Sequence, residues 1–138
     1  MSDRTGNIRF ERLSNERTFA SPELQARADS NPLTDGRMQF RVWMGDREAA
    51  YLSFDIFWPD QLNLYEIFIV REFRSQRLVG PACVGFGVEL ARELHKPRLT
   101  VLPTPLSEQT TEELVGWYKR RGFTPTDDPR GLLEIVLT

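Results

Sequence analysis

A chain of 138 residues with 40% hydrophobic and 28% charged side chains can bury about two thirds of the surface its unfolded form exposes, which predicts one globular domain over residues 1–138 and excludes a disordered chain. A formal net charge of −2 argues against a partner held by blanket attraction to nucleic acid, so any basic function has to be local. One cysteine, Cys83, and one histidine, His95, exclude an intramolecular disulfide framework and a Cys/His zinc site; the polar start Met1–Asn7 has no apolar stretch behind it, nowhere do eighteen apolar residues run together, and a cytoplasmic, non-membrane protein is expected.

Ile8–Leu13 alternates apolar and polar side chains and reads as a half-buried strand ended by Ser14 and Asn15. Ser21, Pro22 and Glu23 supply a cap, a first-turn proline and an acid, but only Leu24 and alanines follow before Asn31-Pro32, so this helix is short. Residues 29–37 read as a surface loop. Met38–Met44 and Glu48–Trp58 alternate on either side of Gly45-Asp46-Arg47 and are expected to pair antiparallel, with Trp43 and Trp58 packing on the hairpin or one of them lining a pocket. Leu62–Val70 is apolar on both faces, as in the middle of a sheet. Cys83, Phe86, Gly87, Leu90 and Leu94 then mark an amphipathic helix; Gly85 and Gly87 inside it each cost about 1 kcal/mol relative to alanine, so close packing on the sheet is expected to require both. Arg98–Leu102 is a short strand stopped by Pro103 and Pro105. Thr110 and Glu113 form a capping box for a second helix carrying Leu114, Trp117 and Tyr118, which Gly122 ends in a left-handed turn with Phe123 folded back. Leu132–Leu137 is the last strand, and the order predicts an α/β (α+β) sheet covered by helices.

Chemistry concentrates where the central strand hands over to the helix. Arg77-Leu78-Val79-Gly80-Pro81-Ala82 reads as a turn with exposed N–H groups able to hold a pyrophosphate, or simply as a turn. Arg71, Arg74 and Arg77 recur through it and Lys119-Arg120-Arg121 adds a second cluster, so six of the eighteen basic residues would face an anion from two short segments. Glu66, read as sharing a strand face with Leu64, Phe68 and Val70, is either a carboxyl whose ionised form is disfavoured, suited to take a proton from an amine, or a partner for an arginine at the strand's wet end. Tyr118 is either an acid able to protonate a departing thiolate or a core ring with its hydroxyl at the rim. His95 reads as a helix cap and Cys83 as a packed thiol.

These residues resemble the GNAT superfamily of N-acetyltransferases over roughly Met38 to Phe123. Glu66 and Val70 match the family's Glu-x-x-x-Val strand ending. Arg77, Gly80 and Ala82 match its pyrophosphate signature, and Tyr118 with Gly122-Phe123 its final helix. The resemblance implies a mixed, mostly antiparallel central sheet whose middle strands splay apart, flanked by helices. It also implies acetyl-CoA as co-substrate with no metal, bound by Ile69, Val70, Arg74, Gln76, Arg77, Leu78, Val79, Gly80, Ala82 and Thr111. The acceptor would be an amine on a small molecule, peptide or protein, attacking directly with Glu66 as base and Tyr118 as acid. The alternative is a GNAT-fold module that binds acyl-CoA or a protein without chemistry. Pro81 removes one N–H that could face phosphate, and Thr111 stands where the family carries Asn. The segment before Met38 has one helix where relatives often have two, which leaves the acceptor side open or completed by a second copy in a homodimer.

Overall fold

The computed structural model describes residues 7–74, 77–106 and 109–137. In chain order these form β1 (Ile8–Arg12), α1 (Pro22–Ser30), β2 (Arg37–Met44), β3 (Arg47–Asp55), β4 (Leu62–Ile69), α2 (Arg71–Arg74), α3 (Val79–Glu93), β5 (Arg98–Val101), α4 (Thr111–Lys119), β6 (Thr124–Pro125) and β7 (Leu133–Val136). The strands make one sheet in the order β1-β2-β3-β4-β5-β7-β6, antiparallel at every pairing except the parallel β4–β5. No helix among the described residues is long and apolar enough to cross a membrane.

Where local chemistry dictates structure, the expected elements form. Ser21 Oγ accepts the Leu24 N–H at the start of α1, and Thr110 and Glu113 exchange both capping-box bonds at the start of α4. Gly122, at φ 106°, ends the α4 segment, and Phe123 N–H returns to the Tyr118 carbonyl. His95 also turns left-handed, closing α3 with its N–H on the Arg92 carbonyl. Three details differ from expectation. β3 stops at Asp55, so Phe57 and Trp58 leave the sheet and pack ring against ring at 4.2 Å while Lys96 Nζ holds the carbonyls of Ile56 and Trp58. The segment after β4 opens with the short α2 rather than a plain turn. A two-residue strand, β6, precedes β7.

The sheet is covered on both faces, which is why β3 is buried along nearly its whole length. Phe40, Phe54 and Leu99 point to α3, where Phe86 meets both phenylalanines and a Cβ on Gly87 would lie 3.2 Å from Leu99 and Phe54. Gly87 therefore does permit close helix-on-sheet packing. Gly85 has open space around it and needs no such explanation. The opposite face carries Gln39, Tyr51 and Ser53 under α1, whose Leu24 and Ala28 are fully buried.

The register of β4 sets up the rest. Phe54 pairs with Leu64 but its neighbour Ser53 pairs with Glu66, so Tyr65 is an extra residue bulged out of the ladder. On the other side β4 pairs with β5 only at Leu62–Leu99, Asn63–Thr100 and Leu64–Val101. The bulge bends β4 at the point where β5 runs out, and Pro103 and Pro105 offer no N–H to continue the ladder. The two middle strands separate there.

Candidate active site

The separation opens a wedge of about 610 Å³, within the usual size of a ligand cleft, between β4 residues Tyr65–Ile69 and the chain leaving β5. Glu66 lies on one wall and Tyr118, from α4, on the other. The bulge corrects one expectation: Glu66 does not share a face with Leu64, because the extra residue moves it to the Ser53 side, under α1. There it meets a charge rather than an apolar pocket. Arg27 donates Nε to Oε2 at 2.6 Å and Nη2 to Oε1 at 2.5 Å, and Asn31 Nδ2 adds a third bond to Oε1 at 3.1 Å. With Glu66 only 6% exposed, about three of its roughly four acceptor positions are filled by α1.

Tyr118 is buried, its ring edge-on to both Trp117 and Phe123. Burial, with the Cys83 and Glu66 charges adding to it and Arg121 opposing, pushes its phenol far above the ordinary value, so it keeps its proton throughout the neutral range. Burial likewise pushes the Tyr51 phenol up to about 12. Both folded-state values lie above the unfolded one near 10, so the stability these phenols contribute is fully present below about pH 10 and is lost as pH rises through 12 and beyond. Urea midpoints are therefore expected to be flat with respect to these tyrosines from about pH 7 to 9 and to fall above pH 10, and Tyr51→Phe to reduce that alkaline loss.

Beyond the wedge a second groove runs along the start of α3, lined by Arg74, Arg77, Arg120 and Arg121 with Trp117 between the two spaces. Glu89 is the carboxylate of this groove among the described residues, and Arg92 holds it at 2.5 Å. Arg121 lies 3.6 Å over the Trp117 ring and donates Nη1 to its carbonyl, yet its Nε is buried without a partner. Burial first, then the charges of Arg120 and Arg77, lower its pKa. Four guanidinium groups against one carboxylate, itself paired with Arg92, fit a polyphosphate. At the start of α3 the Val79 and Gly80 amides precede any intrahelical acceptor, and they too suit an anion.

Several residues expected to touch cofactor are placed otherwise. Val70 spends its N–H on the Ala49 carbonyl and its own carbonyl on Phe73; the Ile69 carbonyl takes Arg74 Nε at 2.7 Å. Ala82 spends its N–H on the Leu78 carbonyl, closing the first turn of α3. These amides are unavailable because β3 and α3 already use them. The Val79 side chain is wholly in the core. Gly80 does allow a close approach, but what approaches is Trp117, whose Cζ2 would sit 2.6 Å from a Cβ at that position. Thr111 is exposed on the first turn of α4 and borders neither space; Gln109 and Leu114 line the wedge there. Leu78 caps α3 without a side-chain bond, and Arg77 takes a left-handed φ of 55° ahead of it. Gln76 lies outside the described residues. Arg120 and Arg121 come to the groove as the basic cluster at 119–121 suggested, whereas Arg27, Asn31 and Trp117 were not singled out in the sequence as site residues. The one available signal was the option that Glu66 pairs with an arginine, which does not say which arginine.

No family model matches the sequence, and no curated protein does. Solved structures match the fold. A GNAT family acetyltransferase from Elizabethkingia anophelis with acetyl-CoA bound is similar with a TM-score of 0.70 over 95% of this chain and 99% of that chain, at 13% identity. An IAA acetyltransferase from Bacillus cereus gives 0.68 over 94% and 99%, at 15% identity. Spermidine N-acetyltransferase from Vibrio cholerae, in complex with CoA and spermine, gives 0.65 over 95% and 96%, at 10% identity. The mixed seven-stranded sheet with its split centre is thus the fold of the GNAT acetyltransferases.

Proposed function

We propose that this chain is an acetyl-CoA-dependent N-acetyltransferase acting on a primary amine by direct attack. The observation that carries this reading is the wedge between β4 and β5, with Glu66 and Tyr118 on its walls, opening into an arginine-lined groove at the start of α3. Acetyl-CoA, when bound, supplies an activated thioester. Arg74, Arg77, Arg120 and Arg121 would hold its diphosphate, and Trp117 separates that end from the wedge. Tyr118 keeps a proton available for a thiolate leaving group. Glu66, held by Arg27 and Asn31, takes the amine's proton through its remaining acceptor position, by way of water. Holding acceptor and thioester together in a sheltered wedge contributes the rest, and no enzyme nucleophile is needed.

Tyr118→Phe tests the assignment because the ring contacts survive. Turnover over a panel of amines, followed as CoA release, is expected to fall about 100-fold or more while acetyl-CoA affinity by calorimetry stays within about twofold. An unchanged rate removes the role of Tyr118. The second reading, a module that binds acyl-CoA without chemistry, is favoured by the engagement of both Glu66 oxygens by Arg27 and Asn31; heat of acetyl-CoA binding with no CoA release across the panel would establish it.

A further inference from the structure

The acceptor end of the wedge has a charge balance of its own. Among the described residues that line it, Glu66 is the one carboxylate, and both its oxygens are taken by Arg27. Arg74 also borders the arginine groove, where it would meet the diphosphate, and the Arg27–Glu66 pair leaves the acceptor wall with no net negative charge. Around them stand Tyr65, Phe68, Leu102 and Leu106. A protonated amine entering here would lose water and find no free carboxylate to replace it, next to a guanidinium that repels it. A neutral amine escapes that cost and gains from the apolar wall.

We propose, resting on the acetyltransferase reading, that the acceptor is a weakly basic primary amine on an aromatic or apolar carrier, an arylamine or the α-amine of an apolar residue, rather than a lysine ε-amine or a polyamine. Such an amine reaches the wedge already carrying the lone pair that attacks. At about pH 7.5 roughly a quarter of an α-amine is free base, against about 0.1% of a lysine ε-amine, so the site needs correspondingly less help from Glu66. The nitrogen forms the new N–C bond to the acetyl carbon as the C–S bond breaks; the proton it loses passes toward Glu66, and the departing sulfur gains one from Tyr118, giving amide and thiol.

The test measures kcat/KM by CoA release for p-toluidine, a Phe-Ala-Ala peptide with a free N-terminus, Nα-acetyl-lysine and spermidine at about pH 7.5. At least one of the first two is expected to exceed both of the last two by about 30-fold or more, and which of them leads separates arylamine from peptide acceptors. Lysine or spermidine turning over as well or better overturns the proposal and leaves the acetyltransferase reading intact. Release with none of the four overturns both. Leu106→Glu places a carboxylate on an exposed rim position, 40% accessible, without disturbing the core. It is expected to move the kcat/KM ratio about fivefold toward spermidine, and an unmoved ratio counts against the proposal.

Discussion

Arg27→Ala is expected to destabilise the fold by about 3 kcal/mol, a larger loss than an exposed helix residue would normally cause. Removing the guanidinium leaves Glu66 as a buried carboxylate held only by Asn31, and an uncompensated buried charge typically costs about 3–5 kcal/mol. The Arg27 side chain is 27% exposed, so water can reach the vacated space and the lower end of that range applies. Urea unfolding of the variant at neutral pH measures the loss. The double variant Arg27→Met with Glu66→Gln, which removes both charges, is expected to recover most of it, since the pair's cost lies in leaving one partner alone. A loss below about 1 kcal/mol in the single variant would show that Glu66 does not depend on α1.

Gly80→Ala is expected to be destabilising although alanine is the better helix former. The new Cβ would lie 2.6 Å from Trp117 Cζ2 and 3.4 Å from Arg121 Nε. The indole has little room to retreat, with the Arg121 guanidinium 3.6 Å over its face and the Tyr118 ring edge-on beside it. Overpacking of this kind costs about 1–3 kcal/mol, against a propensity gain of at most about 1 kcal/mol. Because Trp117 borders both the wedge and the arginine groove, its displacement is also expected to weaken acetyl-CoA binding about tenfold or more, read by calorimetry beside the unfolding midpoint. A variant as stable as the parent with unchanged affinity would refute the view that Gly80 is small in order to admit the indole.

Much of the fold was legible because its signals are local. The Ser21 and Thr110 caps, the left-handed Gly122, the Gly45-Asp46 turn and the helical spacing from Cys83 to Leu94 each act within a few residues, so chain order alone displays them. The candidate site was legible in part: Glu66 and Tyr118 do come to one wedge, and Arg74 and Arg77 to one groove. What surrounds them was not. The bulge at Tyr65 depends on which residues of β3 lie opposite, and one extra residue reverses the face of everything after it. Arg27 finds Glu66 across 39 positions, and Trp117 finds Gly80 across a helix and a strand.

Composition, periodicity and capping by themselves determined that this is a sheet covered by helices, and where nearly every element begins, because those preferences are settled by interactions one turn or one hairpin long. Only the tertiary structure decided that Glu66 faces α1 as half of an ion pair, that Gly80 serves an indole, and that α3 and β3 already use the Ala82 and Val70 amides. Each of these is a contact between distant segments, chosen by strand register and packing once the whole sheet has assembled.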